Sequence, residues 1–156
     1  MRIAVISSLI LFLTLGVFGQ NKIPVIIKLK NGETIEASHF GQLNCSTSKY
    51  FDNSIILKGK YMESYTETKD YSDINKLVLQ GFTDDPVASV GNQKGTIIVY
   101  KKDGTSVELE EAELCMACYG SIEKYNQLRL QMVNPLTGKM FEKPVAVNEI
   151  VSISFK

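Results

Sequence analysis

Val25, Ile27 and Leu29 alternate with Lys28 and Lys30, the period of two that puts successive side chains on opposite faces of a strand. Asn31-Gly32 follows, a pair that tolerates positive φ at both central positions of a two-residue type I′ turn. Ile35 and Ala37 then resume the apolar face. Residues 25–37, VIIKLKNGETIEA, are therefore predicted to form a hairpin. The pattern returns at residues 97–109, IIVYKKDGTSVEL, at an offset of 72 positions measured from Gly32 to Gly104.

Between the two hairpins the pattern is less regular. Residues 38–53 are rich in Ser, Asn and Gly and read as a loop or a short turn of helix. Residues 54–58 form a third strand, residues 60–71 the ends of two neighbouring strands around a turn, and residues 73–79 a closing strand, with one tight turn between Ile74 and Leu77. Gly81, Asp84-Asp85-Pro86 and Gly91-Asn92 then break the periodicity, so residues 81–94 read as a linker. After the second hairpin come an irregular segment at 110–126, an alternating strand at 127–133 with Leu128, Leu130 and Met132 inward, a turn at Asn134-Pro135, and a last strand at 150–155. Asp73-Ile74, Leu77 and Leu79 correspond to Glu149-Ile150, Ile153 and Phe155 at an offset of 76. The drift from 72 to 76 implies four inserted residues, expected to be shared between the cysteine-containing loop and the Asn134–Gly138 turn. Two positions change character between the copies: Leu29 becomes Lys101, and Lys28 becomes Tyr100.

A strand ending in Lys-Asn-Gly or Lys-Asp-Gly, a returning strand, a middle Ile55-Ile56-Leu57 strand and a closing Asp73-Ile74-x-x-Leu77-x-Leu79 resemble the small SH3-like barrels, Sm-like proteins among them. The resemblance implies an all-β fold of two tandem SH3-like barrel repeats, residues 20–80 and 95–156, packed together; one β-sandwich built from both repeats is the alternative. Packing together is expected because a unit of about 60 residues buries only about 60% of its unfolded surface and is marginal alone. The Sm-like nucleic-acid site uses an Asp and Asn pair and an Arg-Gly pair. Here the corresponding segments read Tyr50-Phe51-Asp52-Asn53 and Tyr71-Ser72-Asp73 without Arg-Gly, which removes most support for RNA binding.

The first 19 residues stand apart. Arg2 precedes an apolar run at 3–18, too short for a bilayer span of roughly 20 residues and suited to a secretory signal, with cleavage expected after Gly19. No cysteine follows the run to take a lipid, so a secreted or periplasmic chain is expected, touching membrane only through the cleaved segment. Loss of Arg2 lowers Lys+Arg from 17 to 16 against 17 Asp+Glu, a formal charge of about −1, and leaves Arg129 as the sole arginine. A nucleic-acid partner, which requires a basic field, is not expected.

Candidate chemistry is sparse. Cys115-Met116-Ala117-Cys118 supports a disulfide if the segment turns, because an extended strand would hold the two Cα atoms too far apart. Export to an oxidising compartment favours some bridge among Cys45, Cys115 and Cys118. Glu110, Glu111 and Glu113 would raise a thiol pKa and so oppose a redox-active dithiol, and Tyr119 stands where c-type haem attachment needs histidine. A Cys3His zinc site would have to recruit His39, whose plainer reading is a half-exposed residue at a strand end. As the only histidine, His39 would also have to serve any Ser-His-Asp or Cys-His site, and no Gly-x-Ser-x-Gly elbow or phosphate loop accompanies it. The acidic clusters read as solvated, so no catalytic residue and no cofactor or metal is assigned. The tyrosines are the remaining candidates, with Tyr61, Tyr65 and Tyr71 as a possible aromatic patch against the alternative that they line cores and barrel mouths. The expectation is an exported, non-enzymatic β module that binds a protein partner or assembles with itself; the alternative is a thiol redox or metal-binding protein centred on 115–118.

Overall fold

The computed structural model describes residues 23–40, 55–68, 70–84, 93–116 and 127–156. Among the described residues eleven strands run in chain order: β1 (Val25–Leu29), β2 (Thr34–Ala37), β3 (His39–Phe40), β4 (Ile55–Tyr61), β5 (Ser64–Thr68), β6 (Ile74–Asp84), β7 (Gln93–Lys101), β8 (Ser106–Met116), β9 (Gln127–Val133), β10 (Met140–Ala146) and β11 (Ile150–Phe155). A 3₁₀ turn at Val147–Glu149 leads into β11. The strands form an eight-stranded sheet, β2-β1-β11-β6-β7-β8-β4-β5, and a three-stranded one, β10-β9-β3. The fold is all-β with two sheets, and neither closes into a barrel.

Both hairpins form, by a different turn from the one expected. Leu29 N–H donates to Glu33 O (2.9 Å) and Gly32 N–H to Leu29 O (3.0 Å); Lys101 N–H donates to Thr105 O (2.9 Å) and Gly104 N–H to Lys101 O (3.2 Å). These are three-residue loops, a type I turn followed by a left-handed residue, and Gly32 and Gly104 share φ +87°. A type I′ turn would need positive φ at Asn31 as well, and only Gly32 has it. The side chain before each glycine instead accepts a backbone N–H: Glu33 to Asn31 Oδ1 (2.9 Å) and Thr105 to Asp103 Oδ1 (2.8 Å). The duplication is thus repeated in backbone and side-chain geometry.

Each hairpin pairs with the closing strand of the other half. In β1, Ile27 faces Ile153 of β11; in β7, Val99 faces Leu77 of β6. The loops follow, with Lys30 N–H donating to Glu149 O (2.9 Å) and Lys102 N–H to Asp73 O (2.8 Å). The two closing strands pair with each other through Lys76↔Ser154, Leu77↔Ile153 and Val78↔Ser152. Moving by the 76-residue offset converts this ladder into itself, so a local two-fold relation passes through the Leu77–Ile153 pair. On either side of it lies one composite unit: the five strands β6, β7, β8, β4 and β5 in the first, and the six strands β11, β1, β2, β3, β9 and β10, divided between the two sheets, in the second.

Bulges account for the segments that look irregular in the sequence. In β8 the buried residues are Leu109, then Ala112 and Leu114; Glu111, at φ +47°, sits at the step and reverses which parity faces the core. There β8 passes from pairing with β7 to pairing with β4. Hence residues 110–116, expected to be irregular, are strand. In β6, Leu77 and Leu79 are buried and so is Phe82, with Gly81 at φ +64° between them. Residues 81–84 of the expected linker therefore extend β6, and Gln93 and Lys94 open β7. Residues 134–139 separate β9 from β10, whereas Met62 and Glu63 alone separate β4 from β5, so this turn carries a four-residue excess.

One contiguous core covers the shared face, with Ile27, Leu77, Ile97, Leu128, Leu130, Ile150 and Ile153 fully buried. Each such side chain contributes roughly 1.5–3 kcal/mol on removal from water. Tyr71 joins this core and stacks on Phe155 across the two-fold, with ring centroids 5.2 Å apart. Among the described residues no helix is long and apolar enough to cross a membrane, and the expected signal, 1–19, lies outside them.

Exchanged hairpins make the halves mutually dependent. Polypeptides 20–84 and 93–156, prepared separately, are expected to give a cooperative thermal transition by circular dichroism only when mixed; independent transitions would refute the pairing. At Gly95 a methyl group would lie 2.5 Å from Gln80 O and from Phe82 Cδ2, so Gly95→Ala is expected to cost about 1–3 kcal/mol in urea unfolding. The Thr105 hydroxyl and N–H hold the Asp103 carboxyl below its usual pKa. Because the folded pKa is depressed, the stabilisation is complete above the unfolded-state pKa and is lost as pH falls through the folded one. Asp103→Asn keeps the acceptor, as at Asn31. Its urea midpoint is expected to lie below wild type at neutral pH and to converge with it as pH falls through the lowered pKa of the Asp103 carboxyl.

Candidate functional site

The first composite unit holds a cleft of about 370 Å³ at the seam between β5 and β6, two strands that follow one another without pairing. Its floor is apolar: Leu57 from β4, Ile74 from β6, Val99 from β7, and Val107 and Leu109 from β8. One wall is the hydroxyl face of β5, Ser64, Thr66 and Thr68, which share a side by strand alternation. Tyr61 stands at the mouth, and Asp70, Asp73 and Lys101 form the charged rim.

The second unit explains why the first is open. Leu57 faces Thr68 across the β4–β5 hairpin, and Leu128 faces Val145 across β9–β10. Thr68 therefore stands where the second unit has buried Val145, and Tyr71, drawn away onto Phe155, stands where it has buried Val147. Thr66 corresponds in the same way to Lys143, and Thr105 to Glu33. In the second unit Lys143 Nζ reaches Glu33 Oε1 at 2.8 Å and ties β10 to the hairpin loop; this contact holds the Glu33 carboxyl below its usual pKa. Two threonines cannot make that ion pair. Lys101, in place of Leu29, completes the difference by bringing a charge to the rim, where its Nζ lies 3.7 Å from Asp73 Oδ2.

The rim is built by local turns. Asp70 Oδ1 accepts Ser72 N–H (2.9 Å), which holds its carboxyl below the usual range, and Asp70 N–H donates to Thr68 Oγ1 (3.1 Å). An acid catalyst needs the opposite shift, towards neutrality. The chemistry offered is an apolar floor with hydroxyl, phenol and carboxylate groups around it.

The sequence-derived candidates fall in separate places. Tyr61 lines the cleft, Tyr65 on the other side of β5 points away from it and is 58% exposed, and Tyr71 is buried in the core, so the three do not form one patch. Cys115 lies in β8 with extended backbone, opposite Ile56 of β4. Cys45 and Cys118 lie outside the described residues, as does any bridge to them. His39 is in β3, facing Gln131 of β9, and its Nδ1 lies 3.2 Å from Ser38 Oγ. It therefore sits on a different sheet from Cys115. Among the described residues no three His, Cys, Asp or Glu side chains come together as a metal site.

Sequence reasoning missed the cleft as a site. The traces of it were Tyr61, nominated as part of an aromatic patch, and the change from Leu29 to Lys101. The remaining wall residues, Ser64, Thr66 and Thr68, read as ordinary polar strand positions until the buried Val145 opposite Leu128 shows what they replace. Compared with known proteins, the chain matches no family model, no curated protein and no solved structure.

Proposed function

We propose that the protein is an exported, non-enzymatic binding module of two SH3-like units with exchanged hairpins, and that it docks a protein partner in the cleft of the first unit. The first unit is a continuous run of five antiparallel strands, β6-β7-β8-β4-β5, and the second repeats the plan with six strands divided between the two sheets, β11-β1-β2 and β3-β9-β10, which supports reading them as two related SH3-like units. Exchange of an identical element between two related units is a familiar route to a joined pair. Export rests on the apolar run at residues 3–18.

The observation that carries the docking reading is the asymmetry between the units. The same seam is filled by Val145 and bridged by Lys143 and Glu33 in one, and in the other it is left as a cleft above the buried side chains of Leu57, Ile74, Val99 and Leu109 and the half-buried Val107. A fold that can seal this seam and leaves it open in one copy has room there for an apolar group from outside. The depressed pKa of Asp70 and the pairing of Asp73 with Lys101 favour recognition over proton transfer. The thiol or metal alternative draws no support from Cys115, whose backbone is extended.

Photo-crosslinking tests the docking reading. With p-benzoylphenylalanine in place of Ser64, at the end of the same wall, the full chain is expected to form a discrete protein adduct that is lost when Val107→Trp fills the floor. The same label in place of Glu67, on the opposite side of β5, is expected to give none. Equal labelling from both positions would overturn the site. Turnover of an envelope substrate that disappears with Asp70→Asn or Asp73→Asn would overturn the non-enzymatic assignment.

A further inference from the structure

Of the nine large apolar side chains exposed among the described residues, seven lie on two corresponding hairpins, and the other two are Tyr100 on β7 and Val151 on β11. Tyr61, Met62 and Tyr65 lie on β4–β5, beside the cleft; Val133, Leu136, Met140 and Phe141 lie on β9–β10, in the other unit. Leu136, at the tip of the second hairpin, is 93% exposed.

That tip is built to stay as it is. Asn134 Oδ1 accepts the N–H groups of Leu136 (2.9 Å) and Thr137 (3.1 Å). The Asn134 N–H donates to Lys139 O (2.9 Å), and Gly138 N–H donates to Asn134 O (2.8 Å) with Gly138 at φ +67°. The turn holds Leu136 outward without a further ordering cost on binding, which is the condition under which an exposed anchor yields affinity. Lys139 lies next to it. The cleft offers the complement, an apolar floor beneath a rim where Asp70 and Asp73 outnumber Lys101.

We propose that the docked partner is a second copy of this chain, whose β9–β10 turn inserts Leu136 into the cleft of the first while Lys139 meets the acidic rim. The proposal rests on reading the cleft as a docking site. The contact is heterologous: the donor hairpin belongs to one unit and the acceptor cleft to the other, so every docking event leaves one cleft and one hairpin unused. Assembly is then head to tail, and it extends unless the rotation between copies closes a ring.

Sedimentation of residues 20–156 over a range of concentrations tests this. Species larger than a dimer are expected to grow with concentration. Leu136→Asp changes an exposed tip and Thr66→Trp an exposed wall of the cleft, so each variant is expected to fold, which circular dichroism checks, and to remain monomeric. Loss of the leucine should weaken association about thirtyfold or more, the scale of a hot-spot anchor. The decisive arm is the mixture: Leu136→Asp keeps its cleft and Thr66→Trp keeps its hairpin, so together they should form a one-to-one dimer and stop there. A mixture that stays monomeric, a wild-type dimer that survives Leu136→Asp, or assembly unaffected by either change would overturn the proposal. A chain that is monomeric throughout, yet forms an adduct from position 64 with a different protein, refutes self-assembly and leaves the docking cleft standing; monomer with no adduct removes both.

Discussion

The pairing of β6 with β11 is the constraint on which the remainder of the molecule depends. Leu77 and Ile153 face each other across the local two-fold, and on either side of them the closing strand of one half takes up the opening hairpin of the other. A hairpin alone is marginal in water and needs further strands and a buried face to persist. Here each hairpin obtains both from the opposite end of the chain, and the backbone bonds from Lys30 to Glu149 and from Lys102 to Asp73 fix the loops to the same partners. The single contiguous core follows, since neither half assembles a complete set of strands from its own residues.

Bulges make this arrangement possible. A strand with strict alternation presents one face to one core along its whole length. The step at Glu111 lets β8 serve β7 with Leu109 inward and then β4 with Ala112 and Leu114 inward. In the second unit the same crossing is made at Ser38, whose N–H and hydroxyl both donate to Gln131 O, at 2.9 and 2.7 Å, between β2 and β3. One strand bends with a bulge and its counterpart breaks in two, and both outcomes move the chain from one neighbour to the next.

The units share a backbone plan and differ in how they end. In the second, Val145, Val147 and the Lys143–Glu33 pair seal the space between β10 and the hairpin. In the first, threonine, a tyrosine drawn into the core and Lys101 leave it open. The same asymmetry appears at the turns, two residues after β4 and six after β9, so that one unit carries the cleft and the other a projecting apolar tip. Duplication supplied two equal frames, and a handful of side chains made them unequal.

Much of this was legible in the residue pattern, for reasons that are local. Alternation at Val25, Ile27 and Leu29, glycine at the left-handed position of both loops, and the offsets of 72 and 76 depend on near neighbours and short-range geometry. They located both hairpins, the strand at 127–133 and the last strand. What escaped was of two kinds. Parity reversals at Glu111 and Gly81 disguised strand as loop, and β10, where Glu142, Lys143 and Pro144 stand together and the one buried residue is Val145, carried no apolar period at all. The choice of partner was beyond local reading. Because the two copies keep the same apolar face and register, β1 fits β11 and β6 equally well by pattern, and only the path of the whole chain decides between them. The cleft is a consequence of that choice: Thr68, Val107 and Lys101 come from three strands of the composite unit, and no sequence spacing marks them as neighbours.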